Sequence, residues 1–299
     1  VIFSDAIFIL GICALAMSLR GTIFQSERQM YRCVLMNISN AGLIILDHIH
    51  FQYNGMMLGI LCLSLACLLQ SMKVSDSTHV IWLELIGSIL FSLLLTMKHL
   101  YIILVPVYFF YLLRRFCFTS EKDNKEKKRF SSMRLLILGF AVASTLVLPF
   151  IPFIMQENPK EQMLQIFNRL FPFQRGLVHD YWAGNVWALY LFFEKILSFV
   201  SRKMYPTKAD QFAFPEIQPK HSALLLFLSL IPACVSAWKA ASSPSKSQKD
   251  GQDKRLACIV YSAISSFMLA YHVHEKAIMT AIIPMSFLAF FSIEYARLY

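Results

Sequence analysis

Five runs of mostly apolar residues, 1–19, 80–97, 135–155, 223–238 and 277–293, recur along the chain. Each comes close to the length a helix needs to cross a bilayer, about 20 residues. Four shorter runs, 34–46, 55–69, 100–113 and 256–271, stand beside them. Each shorter run joins a neighbour through a brief polar break, which suits a bundle whose helices reach only part-way. The pattern predicts about nine spans. Composition agrees: 57% of the 299 residues are hydrophobic, 15% are charged and 26 are Phe. Soluble chains average about 45–50% apolar and about 25% charged, so an ordinary soluble domain is excluded. Disorder, a collagen-like repeat and a disulfide scaffold fail on the same grounds. The expected fold class is all-α, a polytopic transmembrane helical bundle forming a single domain over 1–299.

A charge inside the longest apolar stretch sharpens this reading. One helix over 80–113 would carry Lys98 near the bilayer centre, at a cost of about 2.5–3.5 kcal/mol. A turn at Lys98 and His99 is expected instead. The net charge is +10, from 28 Lys and Arg against 18 Asp and Glu. Nine spans leave three, one, eight and five basic residues in loops 20–32, 70–79, 114–134 and 239–255. The opposite face carries none in 47–54, one at Lys98 and one in 272–276. The long loop 156–221 carries eight more, but loops beyond about 60 residues weigh little in setting orientation. The basic loops 114–134 and 239–255 are therefore expected in the cytoplasm, and the positive charge is assigned to topology and anionic membrane lipid. Nucleic acid is not an expected partner.

Cysteine usage adds no framework. Cys13, Cys33, Cys62, Cys67, Cys117, Cys234 and Cys258 lie mostly inside apolar runs with no CxxC pair, as small buried hydrophobes do. Asn37, Ile38 and Ser39 match a glycosylation tripeptide but fall inside an expected span.

The unusual polar residues gather on the face opposite the basic loops. One cluster holds Asp47, His48, His50, Gln52, Tyr53 and Asn54 between two apolar runs, with no Lys or Arg among them. A second holds His272, His274, Glu275 and Lys276. A third runs from Arg169 through Arg175, His179, Asp180, Tyr181 and Trp182 to Asn185 and Trp187. Lys98 and His99 make a fourth. Ionisable groups at membrane depth mark functional sites by default, against the plainer alternative of wet loops just outside the hydrocarbon. The His-x-His pairs invite a zinc reading with Asp47 or Glu275. However, residues two apart share a face only in extended chain, and neither pair has helical spacing. No metal and no cofactor are expected.

Chemically, His and Lys supply positive charge for a phosphate. Asp47, Asp180 and Glu275 are carboxylates able to take a proton from an attacking hydroxyl. Trp182, Tyr181 and Phe171 offer flat apolar faces for sugar rings; Trp187, taken alone, reads as an interfacial belt residue. The set suits a phosphorylated, lipid-carried sugar.

The same stretches resemble a known family. Residues 47–55, the Arg169–Phe173 run with Arg175, Gly176 and Leu177, and residues 272–277 resemble the dolichyl-phosphate-glucose-dependent α-1,3-glucosyltransferases of the endoplasmic reticulum. His179, Tyr181, Trp182 and Ala183, with Asn185 and Trp187 to Tyr190, look like the branch that adds the second glucose. The likeness runs from Val1 to about Ser286 and is loose in 211–220 and 239–253. It implies a type-C glycosyltransferase fold in the endoplasmic reticulum membrane, with the site facing the lumen. It implies transfer of glucose from dolichyl-phosphate glucose to a monoglucosylated high-mannose glycan on dolichyl diphosphate, with inversion. By that resemblance Asp47, His272, His274 and Glu275 fall to catalysis. His48, His50, Gln52, Asn54, Lys98, Arg175 and Lys276 fall to the donor phosphate and sugar, and His179, Asp180, Tyr181 and Trp182 to the acceptor glycan. Loop 156–221 is expected in the lumen.

The resemblance also implies an acidic base in a first lumenal loop, ahead of the helix matching 1–19. The chain starts at Val1 without Met or signal-peptide architecture, so truncation at both ends is expected, with Asp47 and Glu275 as second-choice bases. Two other readings remain open on the residues alone. One is an inactive variant that only binds lipid-linked glycan. The other is a proton-coupled transporter, against which stand the absence of an inverted repeat and the gathering of polar groups at one surface.

Overall fold

The computed structural model describes residues 1–74, 76–120, 128–170, 176–178, 183–204, 214–242 and 248–299. Its first helix, α1 (Ile2–Ser18), is followed by α2 (Glu27–Ile38) and a short α3 (Ala41–Leu43) that runs into a π-helical turn, Ile44–Ile49. Then come α4 (Asn54–Gln70), α5 (Ser77–Met97), a 3-10 turn His99–Leu104 and α6 (Val105–Phe116). A short antiparallel pair, β1 (Phe118–Ser120) with β2 (Lys128–Phe130), leads to α7 (Ser132–Val147), α8 (Ile151–Ile154) and α9 (Pro159–Leu170). The chain closes with α10 (Val186–Met204), α11 (Pro219–Ser242), α12 (Gln248–Leu269), α13 (Met279–Leu288) and α14 (Ile293–Leu298).

Among the described residues, four helical stretches are long and apolar enough to cross a membrane: Ser77–Met97, His99–Phe116, Ser132–Ile154 and Pro219–Ser242. Ile2–Ser18 and Asn54–Gln70 are apolar but shorter. The nine-span expectation is thus met by four segments on this measure, and the shortfall has local causes. Residues 34–46 do not form one helix: α2 ends at Ile38, and Asn40 caps the next turn through Leu43 N (3.1 Å). Residues 256–269 belong to α12, whose early turns carry Asp253, Lys254 and Arg255, and the helix stops at Leu269. Residues 277–293 are divided between a 3-10 turn, an α13 interrupted by Pro284, and the Ser292 cap of α14. The turn expected at Lys98 is present, with Lys98 extended (φ −152°, ψ 111°) between α5 and the 3-10 turn. Asn37 is buried and donates to Ser286 Oγ at 2.7 Å, which keeps the acceptor amide of the glycosylation tripeptide inside the bundle while Ile38 and Ser39 are exposed.

The first two apolar helices lie side by side in the same direction. Met56 N at the start of α4 donates to Ser4 Oγ at the start of α1 (2.9 Å). Beyond their far ends, Thr22 bonds Gln252 Oε1 (2.5 Å), and Gln252 Nε2 reaches Leu69 O (3.1 Å). Between these points the backbones nearly touch. A Cβ on Gly11 would sit 2.2 Å from Gly59 O, and one on Gly59 2.5 Å from Ile7 O. Backbone on both sides leaves nothing flexible to yield. Gly59→Val is expected to cost about 1–3 kcal/mol by overpacking, seen as a lowered unfolding midpoint in detergent.

At the far end a buried carboxylate, Glu84 (1% exposed), accepts from Arg115 Nε (3.0 Å) and Ser71 Oγ (3.1 Å). Arg255 lies over the Tyr111 ring (4.9 Å) and donates to Ala240 O (2.6 Å). These bonds tie α5, α6, α11 and α12 together at the end opposite Asp47, because an unpaired buried charge is strongly destabilising.

Candidate active site

Two junctions more than 200 residues apart in sequence meet at one end of the bundle: Lys276 Nζ donates to Gln52 Oε1 (3.2 Å, a separation of 224 residues). Gln52 Oε1 also accepts from Asn54 Nδ2 (3.0 Å), and Asn54 Oδ1 accepts from Lys98 Nζ (2.8 Å). Two ammonium groups from separate helix junctions are thus bridged by two neutral amides. Among the described residues no carboxylate forms an ion pair with either ammonium, so the two charges together attract an anion. Burial is the main force lowering the Lys98 pKa to about 8; the neighbouring Lys276 charge adds to it and Asp47 opposes it.

Asp47 is 2% exposed and accepts three N–H bonds. Asn54 N (3.0 Å) and Asn54 Nδ2 (2.9 Å) reach one oxygen, and Gly55 N (2.5 Å) reaches the other. The carboxylate therefore caps α4, whose first N–H groups have no partner within the helix, and it fixes the amide that holds Lys98. The cap requires close approach, since a Cβ on Gly55 would lie 3.1 Å from Asp47 Oδ2. The π-helical turn before it swings Asp47 inward, as such turns do at functional sites.

The backbone is held in unusual conformations at both junctions. Phe51 (φ 52°) and His272 (φ 56°) occupy the left-handed region without being glycine. Such residues cost about 1–3 kcal/mol each and persist where the surroundings over-determine them. For His272 those surroundings are visible. Its N donates to Leu177 O (2.8 Å), its Nδ1 meets Gly176 O (3.1 Å), and its ring stands edge-on to His274 at 5.7 Å. His48 pairs with Asp5 Oδ1 (3.2 Å), both half-exposed.

The structure thus brings Asp47, Gln52, Asn54, Lys98 and Lys276 into one network, and sets His272 with His274 beside Gly176. His50 and Glu275 are exposed and take no part in this network. Arg175, His179, Asp180, Tyr181 and Trp182 lie outside the described residues. Ser4 and Asp5 were absorbed into the first apolar run by sequence reasoning. Their adjacency as the two polar residues at its start was the available signal. Trp187 corrects the belt reading: it is 3% exposed, and its Nε1 donates to Leu269 O and Ala270 O (both 3.1 Å) at the end of α12.

Beside this network an apolar groove of about 580 Å³ runs between α5, α6 and α7. Phe91, Leu95, Tyr108, Leu112, Leu138 and Val142 line it, together with Leu170 and with His99, which follows Lys98.

Helices of membrane-crossing length, two lysines at one end of them and an apolar groove alongside define a polytopic membrane protein with a polar cluster at one end. The family model of the ALG6, ALG8 glycosyltransferase family matches residues 1–299, and the chain belongs to that family. It is similar to proteins named dolichyl pyrophosphate Glc1Man9GlcNAc2 alpha-1,3-glucosyltransferase in several eukaryotes. The Mus musculus protein is 34% identical over 310 residues, covering 97% of this chain and 55% of its own length. The Neurospora crassa protein is 36% identical over 291 residues (92% and 53%). The Arabidopsis thaliana protein is 32% identical over 314 residues (100% and 55%). The chain spans about half the length of these relatives.

Proposed function

We propose that this chain carries the donor site of an enzyme that transfers glucose from dolichyl-phosphate glucose to monoglucosylated high-mannose dolichyl-diphosphate oligosaccharide. The observation that carries the reading is the Lys98–Asn54–Gln52–Lys276 chain of hydrogen bonds, with His99, the residue after Lys98, lining an apolar groove. A phosphodiester on an isoprenoid tail needs both parts: cations for the phosphoryl oxygens and a long apolar trough for the lipid. The names borne by the relatives from mouse, Neurospora and Arabidopsis support the acceptor and the α-1,3 linkage.

In this reading the acceptor hydroxyl oxygen attacks the anomeric carbon as the bond to phosphate oxygen breaks, and dolichyl phosphate leaves with the electron pair. One displacement inverts a β donor to an α product. The hydroxyl proton passes to a carboxylate. Lys98 and Lys276 neutralise the charge growing on the leaving phosphate, a role that Arg175, His272 and His274 share in this reading. His48, His50, Gln52 and Asn54 are assigned to the sugar, and His179, Asp180, Tyr181 and Trp182 to the acceptor glycan. Asp47, committed to three N–H bonds, suits holding the site more than accepting the proton. Glu275, exposed at the start of its 3-10 turn, is the freer carboxylate. The site faces the endoplasmic reticulum lumen, and the loops of 114–134 and 239–255 the cytoplasm.

Microsomes lacking the endogenous enzyme, supplied with labelled dolichyl-phosphate glucose and the monoglucosylated acceptor, test the reading. Diglucosylated product dependent on this polypeptide is expected; its absence both with the chain alone and with a form of relatives' length overturns the proposal. The sign of the pH dependence follows from Lys98. Its lowered pKa means that the ammonium discharges as pH rises through about 8, so donor KM is expected to climb between pH 7 and 9. Lys98→Arg, charged throughout that range, flattens the climb.

A further inference from the structure

Helix α10 presents a feature that glucose transfer does not use. Its 19 residues extend about 28 Å at 1.5 Å per residue, nearly enough to cross a bilayer. Yet it carries Glu194, Lys195, Arg202 and Lys203, too many charges for a span. Among the described residues its start is tied to the bundle, and near its far end Ser201 is buried. Trp187 is buried against the end of α12, and Tyr190 Oη donates to Pro215 O (2.5 Å). Beyond that anchor one stripe is apolar and open to the surroundings: Leu189, Phe192, Phe193, Ile196, Phe199 and Val200, with Leu189 59% and Phe199 71% exposed. These positions recur at helical spacing on one face. Helix α9 repeats the pattern on a smaller scale, with Leu164 60% and Phe167 53% exposed.

The position of both helices indicates what covers these faces. Helix α9 begins five residues after Ile154, where the membrane-length stretch Ser132–Ile154 ends. Its last residue, Leu170, lines the same groove as His99. The start of α10 packs on the same end of the bundle, beside the segment through which His272 is tied to Gly176 and Leu177. Both helices therefore leave the bundle at the level where its hydrocarbon-facing helices stop. An amphipathic helix at that level, with excess Lys and Arg beside large apolar residues, lies in the plane of the bilayer interface.

We infer that α9 and α10 are interfacial helices, embedded by their apolar faces in the acyl–headgroup boundary, that form a membrane-bound collar around the mouth of the polar site. Their partner is the lipid surface. Anionic headgroups meet Lys195, Arg202 and Lys203, and Phe193 and Phe199 enter the acyl region. The collar keeps the segment that carries Gly176 and Leu177 close to the membrane, where a lipid-carried substrate arrives sideways through the groove.

Nitroxide side chains on Phe193→Cys, Phe199→Cys and Lys195→Cys, in protein reconstituted into liposomes containing phosphatidylinositol, test this. The unsubstituted chain, carried through the same labelling, supplies the background of the native thiols. All three positions are exposed, so the labels leave the packing intact. Positions 193 and 199 are expected to be open to oxygen and closed to a water-soluble nickel chelate, about 5–10 Å below the headgroups, with position 195 reversed. The nickel chelate reaching 193 and 199 as readily as 195 overturns the inference in favour of a solvated helix. Exclusion of both reagents at 193 and 199 overturns it in favour of a protein cover, whether another protein or further chain. Depth at the bilayer centre for all three overturns it in favour of a span. None of these readings depends on whether the protein transfers glucose.

Discussion

Asp47→Ala is expected to unfold the site end of the bundle and to abolish glucose transfer together. The substitution leaves Asn54 N, Asn54 Nδ2 and Gly55 N without their acceptor in a place water does not reach. Loss of a helix cap costs about 1 kcal/mol, and an N–H bond to a charged group contributes about 1.5–3 kcal/mol. Because the three bonds share one group and do not simply add, a net loss on the order of 3 kcal/mol is expected. Asp47→Asn is the informative companion. Its oxygen keeps the bonds from Asn54, but its amide NH2 confronts Gly55 N–H, donor against donor. If Asp47 serves as cap, thermal stability and transfer fall in step across Ala and Asn. If it also serves as base, Asn loses far more transfer than its loss of stability accounts for. The three N–H bonds favour the first pattern.

Lys276→Met is expected to weaken the transition state for glucose departure while sparing the fold. The Lys276 side chain meets the rest of the network through a single bond to Gln52, which retains its second partner, Asn54 Nδ2. Removing one charge-assisted contact to the leaving phosphate costs about 1.5–3 kcal/mol, or roughly ten- to a hundredfold in kcat/KM. Lys276→Arg keeps the charge but not the compact point donor, so partial recovery is expected. A full loss of transfer with unchanged donor KM removes Lys276 from the ground-state donor site and leaves it to leaving-group stabilisation alone.

Much of this arrangement can be read before any coordinates. A lysine in the middle of an apolar stretch is so costly that the turn at Lys98 follows from energetics. Short junctions between apolar runs that are rich in His and carboxylate and hold at most one basic residue point to 47–54 and 272–276 by the same reasoning. What resists reading is set by partners distant in sequence. The break after Ile38 is hidden because apolar residues outnumber Ser39 and Asn40, and only the Asn40 cap reveals it. The near-contact of Gly11 with Gly59 depends on which helix lies alongside, and two separated glycines carry no such label. Asp5 looks like a stray polar residue until His48 is found opposite it. Trp187 has the composition of a belt residue, and its burial against α12 follows from helix ends that only the fold brings together. The resemblance quoted from 47–55 and 272–277 reached the family that the comparisons establish, whereas the roles of individual histidines stay with the experiments above.

Cross-linking of Gln52→Cys with Lys276→Cys by a short bis-maleimide in native membranes tests most directly that the two junctions form one site. The native side chains meet at their tips, 3.2 Å apart, so the two shortened thiols face each other across a gap that a spacer of about 8–10 Å bridges, whereas a direct disulfide needs Cβ atoms about 4 Å apart. The double variant is expected to cross-link internally and neither single variant to do so. Two thiols that each accept a simple maleimide yet are never joined by the spacer would place the junctions apart, and the shared phosphate site would fall with them.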